Sequence, residues 1–108
     1  MTLPRNINVE IKFFTSEDGG RSSPMNLSEG KYRPHLRVNG GEYLGVAFVD
    51  GPVEPVAPGW SGSAIATLLY EPNVDYSALK PGASFEVLEG ARIVAVGNVQ
   101  NQEQNEDL

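Results

Sequence analysis

The 108-residue chain sets 14 Asp and Glu against 8 Lys and Arg, a formal net charge of −6, and contains no cysteine. The absence of cysteine excludes disulfides, thiolate metal sites and cysteine nucleophiles, and an acidic body disfavours non-specific nucleic-acid binding as the main role. With 40% hydrophobic and 20% charged residues and 12 Gly plus 8 Pro, the composition fits a turn-rich β domain with one core rather than a helix bundle or a disordered chain.

From the N-terminus, Ile7, Val9, Ile11 and Phe13 alternate with Asn8, Glu10 and Lys12, the period-2 pattern of a half-buried strand. SEDGGR at Ser16 to Arg21 ends it, and Gly19 and Gly20 are read as positive-φ positions of a tight turn. Tyr32 to Val38 alternates again, with Arg33, His35 and Arg37 on one face and Tyr32, Pro34, Leu36 and Val38 on the other; Pro34 marks an edge strand or the start of one. A third strand over Tyr43 to Val49 turns Leu44, Val46 and Phe48 inward. Gly51 to Gly59 holds three prolines and reads as an extended crossover loop.

Ser63 to Tyr70 is small and apolar on both faces and is expected to be covered on both sides or central. Lys80, Pro81 and Gly82 form a turn. Ala83 to Leu88 and Arg92 to Gln100 then make a hairpin in which Gly90 takes the unusual backbone angle. Six short strands without helical periodicity define an all-β fold, a small closed six-stranded antiparallel β-barrel over residues 1–100, since closure removes exposed edges. The last eight residues hold Glu103, Glu106 and Asp107 against no base and one apolar residue, so 101–108 is expected to be a disordered acidic tail.

Catalytic chemistry is hard to find. The one Gly-Lys pair, Gly30-Lys31, is followed by Tyr32, so there is no phosphate-binding loop, and no nucleotide or other cofactor is expected. GWSGS at Gly59 to Ser63 lacks the glycine a nucleophile elbow needs two residues after its serine. His35 is the only histidine and stands within two residues of Arg33 and Arg37, a poor setting for a general base. One histidine and no cysteine leave only carboxylates for a metal, so none is expected. The first residues, MTLPRNINVE, carry no apolar run of secretory length, and no stretch reaches the roughly 18 apolar residues of a membrane span. The expected compartment is the cytoplasm.

Four motifs in order, SEDGGRSSP at Ser16 to Pro24, YRP at Tyr32 to Pro34, APG at Ala57 to Gly59 and EGARIVAVGNV at Glu89 to Val99, span most of the chain. Taken together they resemble the C-terminal β-barrel domain of translation elongation factor Tu. The resemblance implies a six-stranded barrel, a non-catalytic module linked to translation, and contact with the T stem of aminoacyl-tRNA or with protein. In that family the tRNA contact uses the Gln after YRP and the Glu-Gly of the last hairpin. Here Arg21, Glu89 and Gly90 match, while His35 stands at the Gln position, and Asn39 to Glu42 replaces a Thr-rich strand end.

Two surfaces follow as candidates. Another protein is the expected partner, held by the Gly19, Gly20, Arg21 loop or by Trp60, an aromatic on a loop of the kind enriched in interface hot spots; the alternative for Trp60 is that it folds back to cap one end of the barrel. Such a module would compete for a partner of the translation factor or shield a partner from a toxin. The second surface, Arg21, Arg33, His35 and Arg37 with Glu89 and Gly90, would hold an anion or a tRNA stem, since guanidinium forks match phosphate oxygens.

Overall fold

The alternation at the N-terminus becomes strand β1, Asn6–Phe13, with Ile7, Val9, Ile11 and Phe13 all buried. Strands β2 (His35–Arg37), β3 (Leu44–Asp50), β4 (Ser61–Leu68), β5 (Ser84–Glu89) and β6 (Arg92–Val99) follow in a computed structural model that describes residues 5–101. The tail expected to be disordered lies, from Gln102 onward, outside the described residues. The strands pair antiparallel throughout, in the spatial order β1-β4-β3-β2-β5-β6, and β6 closes the barrel on β1. Closure is the expected answer for a chain of short strands that must leave no ladder unpaired.

β2 is shorter than the alternation over Tyr32 to Val38 suggests. Pro34 lacks an N–H and constrains the residue before it, so regular pairing begins only at His35. The preceding segment still follows β3: Val46 N–H donates to the Pro34 carbonyl at 3.1 Å, Phe48 N–H to Tyr32 at 3.0 Å, and Gly30 N–H to Phe48 at 2.8 Å. Pro34 therefore stands at the start of a strand that has neighbours on both sides, β3 and β5, and is no edge.

Two further expectations are corrected. The segment Gly51 to Gly59 is no crossover, because β3 and β4 are paired neighbours; it is a long hairpin connection, tied down where Val56 and Met25 exchange backbone hydrogen bonds. β4 has the central placement given as the alternative, between β1 and β3, but the strand covered on both faces is β3. Residues Leu44 to Phe48 are buried without a break, whereas β4 alternates buried Ala64, Ala66 and Leu68 with partly exposed neighbours. The missing side chain at Gly45 lets the segment after β4 lie over β3. There the Tyr70 ring crosses Gly45, and the Tyr76 phenol donates to the Gly45 carbonyl at 2.6 Å and accepts from Tyr70 N–H at 3.2 Å.

The core combines inward residues of all six strands with Met25, Leu27, Val56, Tyr76 and Leu79 from irregular segments. Tyr76 is 1% exposed, so its hydroxyl has no access to water to replace those two bonds. Tyr76→Phe is expected to lower stability by about 1–2 kcal/mol, read as a shift of the urea midpoint at unchanged slope; a neutral result would mean that the Tyr70 to Leu79 cover contributes packing alone.

Candidate functional site

The Ser16 to Arg21 turn after β1 and the turn of the β5–β6 hairpin meet on one side of the barrel. Thr15 opens a single 3-10 turn, Ser16–Asp18, its hydroxyl accepting from Asp18 N–H at 3.2 Å, and Gly19 ends it at φ 95°. Gly20 has no positive φ, contrary to the sequence reading; it is required because a Cβ there would lie 2.3 Å from the Phe14 carbonyl oxygen. The two peptide carbonyls of this turn are taken by one side chain, since Arg92 donates to Gly19 O at 3.1 Å and to Gly20 O at 2.8 Å. Gly19 is exposed and Gly20 is buried.

Arg21 and Glu89, 68 residues apart, form an ion pair at 2.5 Å. The same Glu89 oxygen accepts the Tyr32 hydroxyl at 2.6 Å, and the Arg21 guanidinium lies 5.5 Å over the Tyr32 ring. Arg21 also reaches the carbonyl and hydroxyl of Ser23. Burial, then the neighbouring carboxylate, pushes the Tyr32 phenol far up, so it serves as a permanent hydrogen-bond donor. This cluster closes the barrel wall where the Gly30 to Pro34 segment is too irregular to ladder with β5. Gly90, at φ 63°, forms the exposed tip of the hairpin as expected.

The basic stripe is also engaged. Arg37 binds Glu86 through Nε at 3.1 Å and Nη2 at 2.9 Å and lies 5.5 Å over the Tyr43 ring, whose centroid is 5.7 Å from that of the tilted His35 ring. Arg33 is exposed and donates to the Gly30 carbonyl at 2.9 Å. Thus Arg33, His35 and Arg37 do share the outer side of β2 and its lead-in, with Glu86 set against Arg37 and Glu89 against Arg21.

Trp60 is half-buried and packs against the core. Its ring fills the space that Gly62 leaves open: a Cβ on Gly62, an inward position paired with Ile11, would lie 2.5 Å from the ring. This geometry supports the capping alternative for the indole. The loop that carries it touches the turn after β1, with Phe13 N–H donating to the Trp60 carbonyl at 2.9 Å and Thr15 Cγ2 at 3.2 Å from a Cβ position on Gly59. Between them lies a depression of about 570 Å³ lined by Lys12, Phe13, Phe14, Thr15, Asp18, Gly59 and Val96.

The structure therefore joins the two loops that the sequence offers separately as protein-binding candidates, and adds Phe14 and Val96, which sequence reasoning missed. Phe14 follows the last inward residue of β1 and is only partly covered; Val96 is 38% exposed on the outer side of β6. The doublet Phe13-Phe14 was a usable signal, since alternation puts one of two consecutive aromatics outside. Val96 had none, because the run IVAV is apolar at every position. Among the described residues no three His, Cys, Asp or Glu side chains converge on a possible metal position, and no helix is long and apolar enough to cross a membrane. No protein-family model matches the chain.

Proposed function

We propose that this chain is a non-catalytic protein-interaction module, a barrel resembling the C-terminal domain of elongation factor Tu, whose partner belongs to translation or acts on the translation factor. The observation that carries this reading is the meeting of the Ser16 to Arg21 turn with the Gly59-Trp60 loop around a depression whose lining includes Phe14 and Val96. Partly exposed apolar side chains beside a polar rim are the composition of protein interfaces. The cytoplasm is the compartment such a role requires.

The tRNA reading ranks second on charge. Arg21 and Arg37 would have to leave Glu89 and Glu86 before meeting phosphate, and both carboxylates would then face the nucleic acid. The resemblance in Glu89 and Gly90 is what keeps that reading in view.

The test is capture by the immobilised full chain from a lysate of its own source, split into nuclease-treated and untreated halves. The expected result is a protein retained in both halves by the wild type and lost from a Val96→Asp variant that melts normally. Retention of RNA alone, in the untreated half only, would overturn the proposal in favour of tRNA.

A further inference from the structure

We infer that the partner segment seated on the Phe14–Val96 depression is basic: an apolar side chain between Phe14 and Val96, with Lys or Arg beside it reaching the Glu17-Asp18 turn. This rests on the protein-interaction reading above and adds the chemistry and direction of the occupant.

The argument is one of charge left over after the fold has paired what it can. Four ion pairs, Arg5–Glu71, Arg21–Glu89, Lys31–Glu29 and Arg37–Glu86, leave Glu10, Glu17, Asp18, Glu42, Asp50, Glu54 and Asp75 without a cation among the described residues. Asp18 lines the apolar depression, and Glu17, adjacent to it in the turn, is exposed. Arg21, which follows the turn in sequence, is committed to Glu89, and Arg92, which bonds the turn's backbone, to the Gly19 and Gly20 carbonyls. Arg92 bonds the backbone of the very turn that carries these carboxylates and still leaves both unpaired.

The other rim has the opposite sign. Lys12, on β1, is exposed, pairs in register with Val96, and carries no ion pair among the described residues. It repels a second cation on the β1 wall of the depression, while Val96 and Phe14 are its apolar lining and Asp18 brings negative charge at the turn. A segment with its cations on one side of an apolar anchor fits in one direction only, and a segment with acidic flanks meets repulsion at Glu17 and Asp18.

The experiment measures fluorescence anisotropy of two synthetic peptides against the full chain. The peptides are identical except that lysines flank the central leucine in one and glutamates in the other. At about 50 mM salt, where surface charges are weakly screened, the lysine peptide is expected to bind about tenfold tighter, a difference that two exposed charge pairs supply. At about 0.5 M salt the preference should largely vanish, and Glu17→Lys/Asp18→Lys should reverse it at low salt. Val96→Asp should weaken the lysine peptide's apolar anchoring while the melting temperature stays put. Equal binding of the two peptides, or a preference that survives the double charge reversal, would overturn the inference. Lysate capture separates the two levels: a protein lost from Val96→Asp but retained by Glu17→Lys/Asp18→Lys removes the basic partner and leaves the interaction module standing, whereas capture of RNA alone removes both.

Discussion

Gly97→Ala is expected to destabilise the barrel by about 3 kcal/mol, at the upper end of what overpacking costs. Gly97 sits on β6 between Ile11 of β1 and Phe85 of β5, at the seam where the barrel closes. A Cβ there would lie 2.4 Å from the Glu10 carbonyl oxygen and 2.8 Å from the Phe85 ring. The ring can turn aside, but the carbonyl belongs to β1 and can retreat only by pulling β1 and β6 apart. The measurement is urea unfolding of Gly97→Ala alone and combined with Phe85→Leu. If the backbone clash dominates, the second substitution restores nothing; recovery of most of the loss would place the conflict in the ring, and a change below about 1 kcal/mol would show that the seam yields without cost.

Glu89→Ala is expected to cost about 2 kcal/mol, because one carboxylate oxygen serves both Arg21 and Tyr32. Charge-assisted hydrogen bonds are among the stronger ones, and the side chains are less than a third exposed, Arg21 at 23% and Glu89 at 30%. Removing the acceptor leaves a phenol and a guanidinium facing each other across the irregular part of the wall. Arg21→Ala/Glu89→Ala should therefore lose about 1 kcal/mol less than the two single losses summed; strict additivity in urea titrations would show that the pair does not couple. Burial and the carboxylate raise the Tyr32 phenol above the ordinary tyrosine value of 10.0. The folded chain then keeps a proton that the unfolded chain releases, so stability present below pH 10 declines as pH rises beyond it. Tyr32→Phe should flatten that decline, and an equally steep one in the variant would assign the effect to other groups.

The second prediction also bears on the proposed interface. The Arg21–Glu89–Tyr32 cluster and the Arg92 bonds to Gly19 and Gly20 hold the turn after β1 in place, and that turn supplies one rim of the depression. Loss of Glu89 should thus weaken capture by Val96-dependent partners as well as stability, through the position of the rim rather than through contact.

Much of the barrel was legible because its signals are local. Ile7 to Phe13 alternates without interruption and is buried as written; Gly90 stands between two apolar runs and takes the positive φ that a tight hairpin demands. Where the reading went astray, the deciding partner lay far along the chain. Nothing near Gly45 announces that Tyr70 and Tyr76 will cover it, so β3 looked one-faced and β4 looked buried. Gly20 resembles Gly19 in sequence, yet one is chosen for its backbone angle and the other for the approach of Phe14 O.

The candidate surfaces divide in the same way. Residue types and spacing by themselves determined an acidic, turn-rich, six-stranded antiparallel barrel without cysteine chemistry or a phosphate loop, because strand alternation and turn chemistry are properties of neighbours in the chain. Only the tertiary structure decided which charges remain available and which loops meet. Glu89 lies 68 residues from Arg21 and Glu86 lies 49 from Arg37, and Gly59 reaches Thr15 across the barrel end; whether a charge is free or spent depends on partners that closure of the sheet brings together, which no local pattern encodes.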